Sequence, residues 1–230
     1  MPELTPLEWE ALTISLRVSL WAVCLGLPVA LATAWLLARR EFPGKTLLNG
    51  VVHLPLVVPP VVIGYLLLLG FGRNGPIGAW LDSTFGLTVA FTWQGAALAA
   101  AVMAFPLMVR SMRLSLEAID VRLEAAARTL GSGRLEVFGT IPLPLMAPGI
   151  LAAAILGFAR SLGEFGATIT FVSNIPGETR TLPLALYSLV QQPGGDAGAL
   201  RIAAISVALA LVALAASELL ARRLKIRIAG

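Results

Sequence analysis

The stretch LEAIDVRLEAAARTLGSGRLEVFGTIPLP, residues 116–144, decides how the chain is read. Leu116, Ile119, Leu123, Ala126 and Leu130 recur at spacings of three and four, which sets them on one face of an amphipathic helix. Glu117, Asp120, Arg122 and Glu124 fall largely off that stripe. Gly131-Ser132-Gly133 breaks the helix, and Gly131 suits the left-handed position that follows a helix C-cap. A second short helix, Arg134 to Ile141, ends at Pro142 and Pro144, which cannot continue it. Helix, glycine turn, short helix and proline exit make a stiff elbow; a flexible linker would be polar throughout. The pattern by itself fits equally a docking element for a partner and an interfacial helix lying on anionic lipid.

On both sides the chain is strongly apolar. Hydrophobic residues make up 57% of the sequence and charged residues 13%, with a mean hydropathy of +0.86. A soluble domain carries about twice that charge fraction. Five uncharged stretches are long enough to cross a bilayer: Val18–Ala38, Thr46–Gly72, Ser83–Val109, Val137 to Arg160, and a short one from Arg201 toward Glu218 that is expected to extend to Ala221. The fold class is therefore all-α, a polytopic membrane protein of five transmembrane helices forming one domain, 1–230. Phe165–Val172 and Leu182–Val190 leave room for a sixth, re-entrant element. Glu3, Glu8 and Glu10 stand where a cleavable signal peptide would be basic, so the first apolar run is expected to be retained.

Loop charge sets the orientation. The turn at Arg39–Lys45 carries three basic residues, Arg110–Arg134 five, and the tail Arg222–Arg227 four; the opposite loops carry only Arg73, Arg180 and Arg201. Basic loops stay in the cytoplasm, so the elbow and the C-terminus are expected inside and the N-terminus outside. The net charge of +4 has no aromatic-rich basic surface to go with it, which argues against nucleic acid as a partner. Lipid is the expected surrounding.

Catalytic parts are missing. There is one His and one Cys, no metal-ligand cluster and no paired carboxylates within a span, so neither a catalytic nor a metal site is expected. Gly44-Lys45-Thr46 matches the end of a phosphate loop, but its leading glycine position holds Arg39. Any nucleotide-driven motor must lie in another subunit.

Glu124-Ala125-Ala126-Ala127-Arg128-Thr129-Leu130-Gly131, nine residues, then Ile141-Pro142-Leu143-Pro144 resembles the EAA loop of binding-protein-dependent ABC importer permeases. In register with Gly131, Ile141, Leu143 and Pro144, the acidic position holds Ala125 and the two alanines are Ala126 and Ala127; Glu124 sits one place early. The resemblance implies a type I importer permease fold whose loop, about residues 111–144, is the coupling helix seated on a separate ATPase. It also implies a homodimer with a second copy of this chain, two ATPase subunits that bind the ATP and magnesium, and an extracytoplasmic binding protein. No cofactor is expected in this chain.

Phe158–Thr168 contains Arg160 and Glu164, one turn apart at the end of the fourth span. Intramembrane charges pair or line a polar path, so the two residues read either as a structural ion pair or as part of a translocation path. This segment resembles the sulfate, thiosulfate and molybdate branch of the permease family. Ser173–Tyr187 and His53–Tyr65 look closest to molybdate permeases, which implies a molybdate importer, with tungstate of nearly the same size and charge. A sulfate or thiosulfate permease, or an ATP-independent anion carrier, are the alternatives. The membrane implied is the bacterial cytoplasmic one.

Overall fold

A computed structural model describes the backbone of residues 4–229 and the side chains of residues 4–216. The side chains of the basic tail, Arg222–Arg227, and of Glu3 lie outside the described residues. Among the described residues there are twelve helices and no strand. Three helices are long and apolar enough to cross a bilayer unbroken: α1 (Pro6–Arg39), α5 (Trp93–Glu117) and α12 (Asp196–Ala229). Two further segments reach that length and apolarity only as bent pairs. α2 (Lys45–Val57) meets α3 (Pro60–Phe71) at 116°, and the segment Arg134–Leu145, containing α7 (Arg134–Thr140) and α8 (Pro142–Leu145), meets α9 (Ala147–Leu162) at 68°. Counting each pair once gives five spans, as the charge-free stretches predict.

The sixth element resolves into two. α10 (Gly166–Val172) and α11 (Leu182–Val190) are both helices, of 7 and 9 residues. A crossing needs about 20, so neither spans. The third stretch also needs correcting. Ser83–Val109 is uncharged but not one helix, because α4 (Pro76–Phe85) ends at Gly86 in the left-handed region (φ 64°), and α5 begins only after its cap Thr92, whose hydroxyl accepts the N–H of Gly95. Absence of charge marks what tolerates lipid; the glycine and the cap mark where the helix begins.

α5 is the central post. It packs along α1 and α9, and Ala96, Ala97, Ala99 and Ala100 are buried against residues of α1, α3 and α10. That alanine face, which in sequence is compatible with packing against a second copy, is used inside the chain. Small residues let backbones approach without unpaired polar groups, the usual basis of helix association in lipid. A second cluster, Leu37, Val52, Met108, Met112, Leu116 and Met146, closes the end nearest the elbow. Two charged groups of α1 find partners on other helices: Arg17 lies 3.6 Å over the ring of Trp93, and buried Glu8 is 2.8 Å from Arg201, joining α1 to α12.

The break between α2 and α3 follows from Pro59 and Pro60, which remove two backbone donors in succession. α3 then turns onto α10. A Cβ at Gly64 would lie 2.5 Å from the carbonyl oxygen of Ala167, and one at Gly166 would lie 2.8 Å from Pro60 Cβ. Gly64→Val is therefore expected to lower stability by about 1–3 kcal/mol, the usual cost of overpacking. Thermal scanning of the purified protein checks this against Gly50→Val, where a Cβ meets nothing within 4 Å; equal melting of the two variants would contradict the tight α3–α10 contact.

Candidate functional site: the elbow and the ion pair at the end of the fourth span

The elbow forms, with one rearrangement. α5 ends at Glu117, and a new helix, α6 (Val121–Thr129), starts at Asp120, whose carboxylate accepts the N–H of Arg122 at 2.9 Å. The predicted continuous stripe is thus cut in two. Leu116 and Ile119 are buried under the bundle, whereas Leu123 and Leu130 face outward, Leu130 at 88% exposure. An N-cap aspartate breaks a periodicity that hydrophobic spacing alone reads as unbroken.

Gly131 has φ +93°, the left-handed conformation its place in the sequence predicts, and the N–H of Gly131 and of Ser132 close the turn onto the carbonyls of Arg128 and Ala127. Gly133 then caps α7, with its N–H donated to Glu136 at 3.2 Å. Ile141 ends α7 half-buried. Leu143 and Pro144 follow on α8, beside the buried Met146, and line a groove that runs along α9 to Ala154. Ala125 and Ala126 are exposed and Ala127 is half-buried. A segment outside the bundle that exposes Val121, Leu123, Leu130 and Leu135 carries the kind of apolar surface that marks a partner site.

Glu124 is the residue whose placement the stripe misjudges. It is buried, 8% exposed, with one oxygen 2.9 Å from Nη2 of Arg39 and the other 3.6 Å from Arg128. The same Arg39 nitrogen donates to the carbonyl of Ile119 at 3.2 Å. Arg39 is the last residue of α1, so the first helix of the elbow is fastened to the end of the first span. Arg39 reads in sequence only as one more loop charge; its partner is 85 positions away, and no local pattern announces it.

Arg160 and Glu164 do meet, at 2.6 Å between Nη1 and Oε2. They do not share a helix. α9 stops at Leu162, and Glu164 lies in the junction before α10, where its other oxygen accepts the N–H of Ala167 at 2.9 Å. The side chain of Glu164 is 2% exposed and that of Arg160 28%. Both oxygens are engaged and the charge of Arg160 is matched, so the pair closes the α9–α10 corner. Among the described residues no group of three His, Cys, Asp or Glu side chains is placed to hold a metal ion. His53 sits within hydrogen-bond distance, 2.8 Å, of the carbonyl of Asn49 on its own helix.

The sequence profile of the family described as "Binding-protein-dependent transport system inner membrane component" matches residues 26–226. The chain belongs to this permease family. The permease is 63% identical, over 95% of its length and 96% of the relative's, to the "Molybdenum transport system permease protein ModB" of Escherichia coli strain K12. It is 56% identical over the same shares to the protein of that name from Haemophilus influenzae strain Rd. In fold it superposes on a chain of the "Crystal structure of bacterial alginate ABC transporter in complex with alginate pentasaccharide-bound periplasmic protein", with a TM-score of 0.75, 17% identity, and coverage of 95% of this chain and 80% of that one. The permease is therefore a multi-pass, non-enzymatic transport subunit with the fold of ABC importer membrane components.

Proposed function

We propose that this chain is the membrane-spanning permease of an ATP-driven importer of molybdate, with tungstate accepted in the same way. The observation that carries the substrate is the identity of 63% over nearly the whole of a molybdenum permease. The coupling role is carried by the elbow. Leu123 and Leu130 offer an apolar face to a separate ATPase, Gly131 sets the angle between α6 and α7, and the Arg39–Glu124 pair passes displacement of α6 to α1. Ala126 and Ala127 let the ATPase groove approach the backbone closely, and Ile141, Leu143 and Pro144 return the chain to α9. ATP and magnesium belong to the ATPase; this chain binds no cofactor.

In the proposed assembly two copies of the chain rock against each other as two ATPases close, and an extracytoplasmic binding protein delivers the oxyanion. Val61, Tyr65 and Leu69 of α3 are exposed and available for that second copy. The N-terminus lies outside and the C-terminus in the cytoplasm of a bacterial inner membrane, in keeping with the basic loops. Arg160 and Glu164 act as a structural pair beside the path. An anion bound to Arg160 would have to displace a contact of 2.6 Å.

The test is uptake in proteoliposomes carrying the permease, its ATPase and its binding protein. Molybdate should accumulate only with ATP, tungstate should compete, and sulfate at equal concentration should stay near background. Uptake without ATP, or equal uptake of sulfate, would overturn the proposal.

A further inference from the structure

Between the last turns of α1 and the elbow lies an open cavity of about 990 Å3. Its wall is apolar: Leu31, Trp35 and Leu36 of α1, with Phe138 of α7. These α1 residues belong to the uncharged length of the first span, so the wall stands at hydrocarbon depth. Apart from Glu124, the charged part of the lining is basic. Arg40, Arg128 and Arg134 line the cavity with exposed side chains, and the Arg39–Glu124 pair lines it too, leaving four guanidinium groups against one carboxylate. Glu124 is already contacted by Arg39 and Arg128, while Arg40 and Arg134 make no ion pair among the described residues. The guanidinium of Arg40 sits 5.3 Å over the ring of Trp35, which keeps a positive charge beside the apolar wall.

An apolar slot edged by unmatched guanidinium groups asks for a ligand with hydrocarbon at one end and a phosphate at the other. A soluble anion satisfies only the basic part and an apolar peptide only the wall. A zwitterionic lipid brings its own cation and gains little from Arg40 and Arg134. We propose that this cavity is a site for an anionic phospholipid of the cytoplasmic leaflet, with its phosphodiester held by Arg40, Arg128 and Arg134 and an acyl chain laid along Leu31, Trp35 and Leu36. Arginine forks suit phosphate oxygens, and basic pockets between spans on the cytoplasmic side take anionic headgroups. The inference rests on the reading that the elbow lies at the cytoplasmic surface. A lipid held there bridges α1 and the elbow, bracing the joint that Arg39 and Glu124 already form.

Native mass spectrometry of the assembled complex, with phosphatidylglycerol or phosphatidylcholine of matched chains, tests it. Phosphatidylglycerol should be retained over phosphatidylcholine. Arg40→Gln with Arg134→Gln should weaken that retention about tenfold or more, at about fivefold for each arginine near an anionic surface, while Arg40→Lys with Arg134→Lys should keep most of it and show that folding is intact. Equal retention of the two lipids, unchanged retention in the glutamine variant, or displacement by glycerol 3-phosphate at equal concentration would each overturn the site. Molybdate uptake by the same preparations separates the two readings: uptake intact with no lipid preference removes the lipid site alone. A cysteine at position 134 labelled only from outside removes the orientation and the lipid site together.

Discussion

Arg160→Met is expected to cost about 3 kcal/mol of stability, the lower end of what removing one partner from a buried ion pair costs. The reason lies on the other side of the pair. Glu164 is 2% exposed, and without Arg160 its carboxylate keeps only the N–H of Ala167. A buried charge without a counter-charge is strongly disfavoured, and the partial exposure of Arg160, 28%, keeps the loss from being larger. The damage should spread. Glu164 fixes the start of α10, α10 is wedged against α3 at Gly64, and α3 carries the span that follows the proline break. Adding Glu164→Gln to Arg160→Met should recover most of the loss, because the amide oxygen still accepts from Ala167 and no charge is left behind. Thermal scanning of the purified protein measures both variants, and uptake is measured alongside. If the single variant melts like the original, the pair has no structural weight; if the double variant is stable yet transports nothing, Arg160 acts on the anion directly.

The ion pair also illustrates what sequence can and cannot carry. Spacing of four put Arg160 and Glu164 together, and they are together, but spacing could not say that the helix ends between them. The five spans were legible because charge is excluded from lipid over a fixed length, a constraint that acts on each segment alone. The glycine turn was legible for a similar reason: a left-handed residue is a local requirement, met at Gly131 by the one side chain that has no Cβ. Glu124 was illegible. Hydrophobic periodicity assigned it to the polar face of α6, and its burial depends on Arg39 arriving from another helix. The start of α6 was missed because Asp120 is as acceptable on a solvated helix face as in a cap. Where a single segment's chemistry decides the outcome the reading succeeds; where a partner decides it, the partner has to be seen.

Substitution of Gly131 is expected to reduce ATP-driven uptake in a graded way while leaving the chain folded and in the membrane. At φ +93° a residue with a Cβ pays roughly 1–2 kcal/mol of backbone strain, and a β-branched one is a sharper outlier there. Nothing lies within 4 Å of the Cβ that would be added, so no clash confuses the result. Strain of that size is relieved by changing the angle between α6 and α7, which leaves the packed bundle of α1, α5 and α9 untouched. An elbow at a different angle offers Leu123 and Leu130 to the ATPase in the wrong register, so closure of the motor no longer moves α1. Asn, which tolerates the left-handed region better than other residues with a Cβ, should keep most of the uptake; Ala should lose a large part, and Val nearly all. ATPase activity of the assembled complex should persist in the Val variant, uncoupled from transport. A Val variant that imports molybdate as well as the Asn variant does would mean that the angle at Gly131 transmits nothing, and that the apolar face of the elbow serves only to hold the two subunits together.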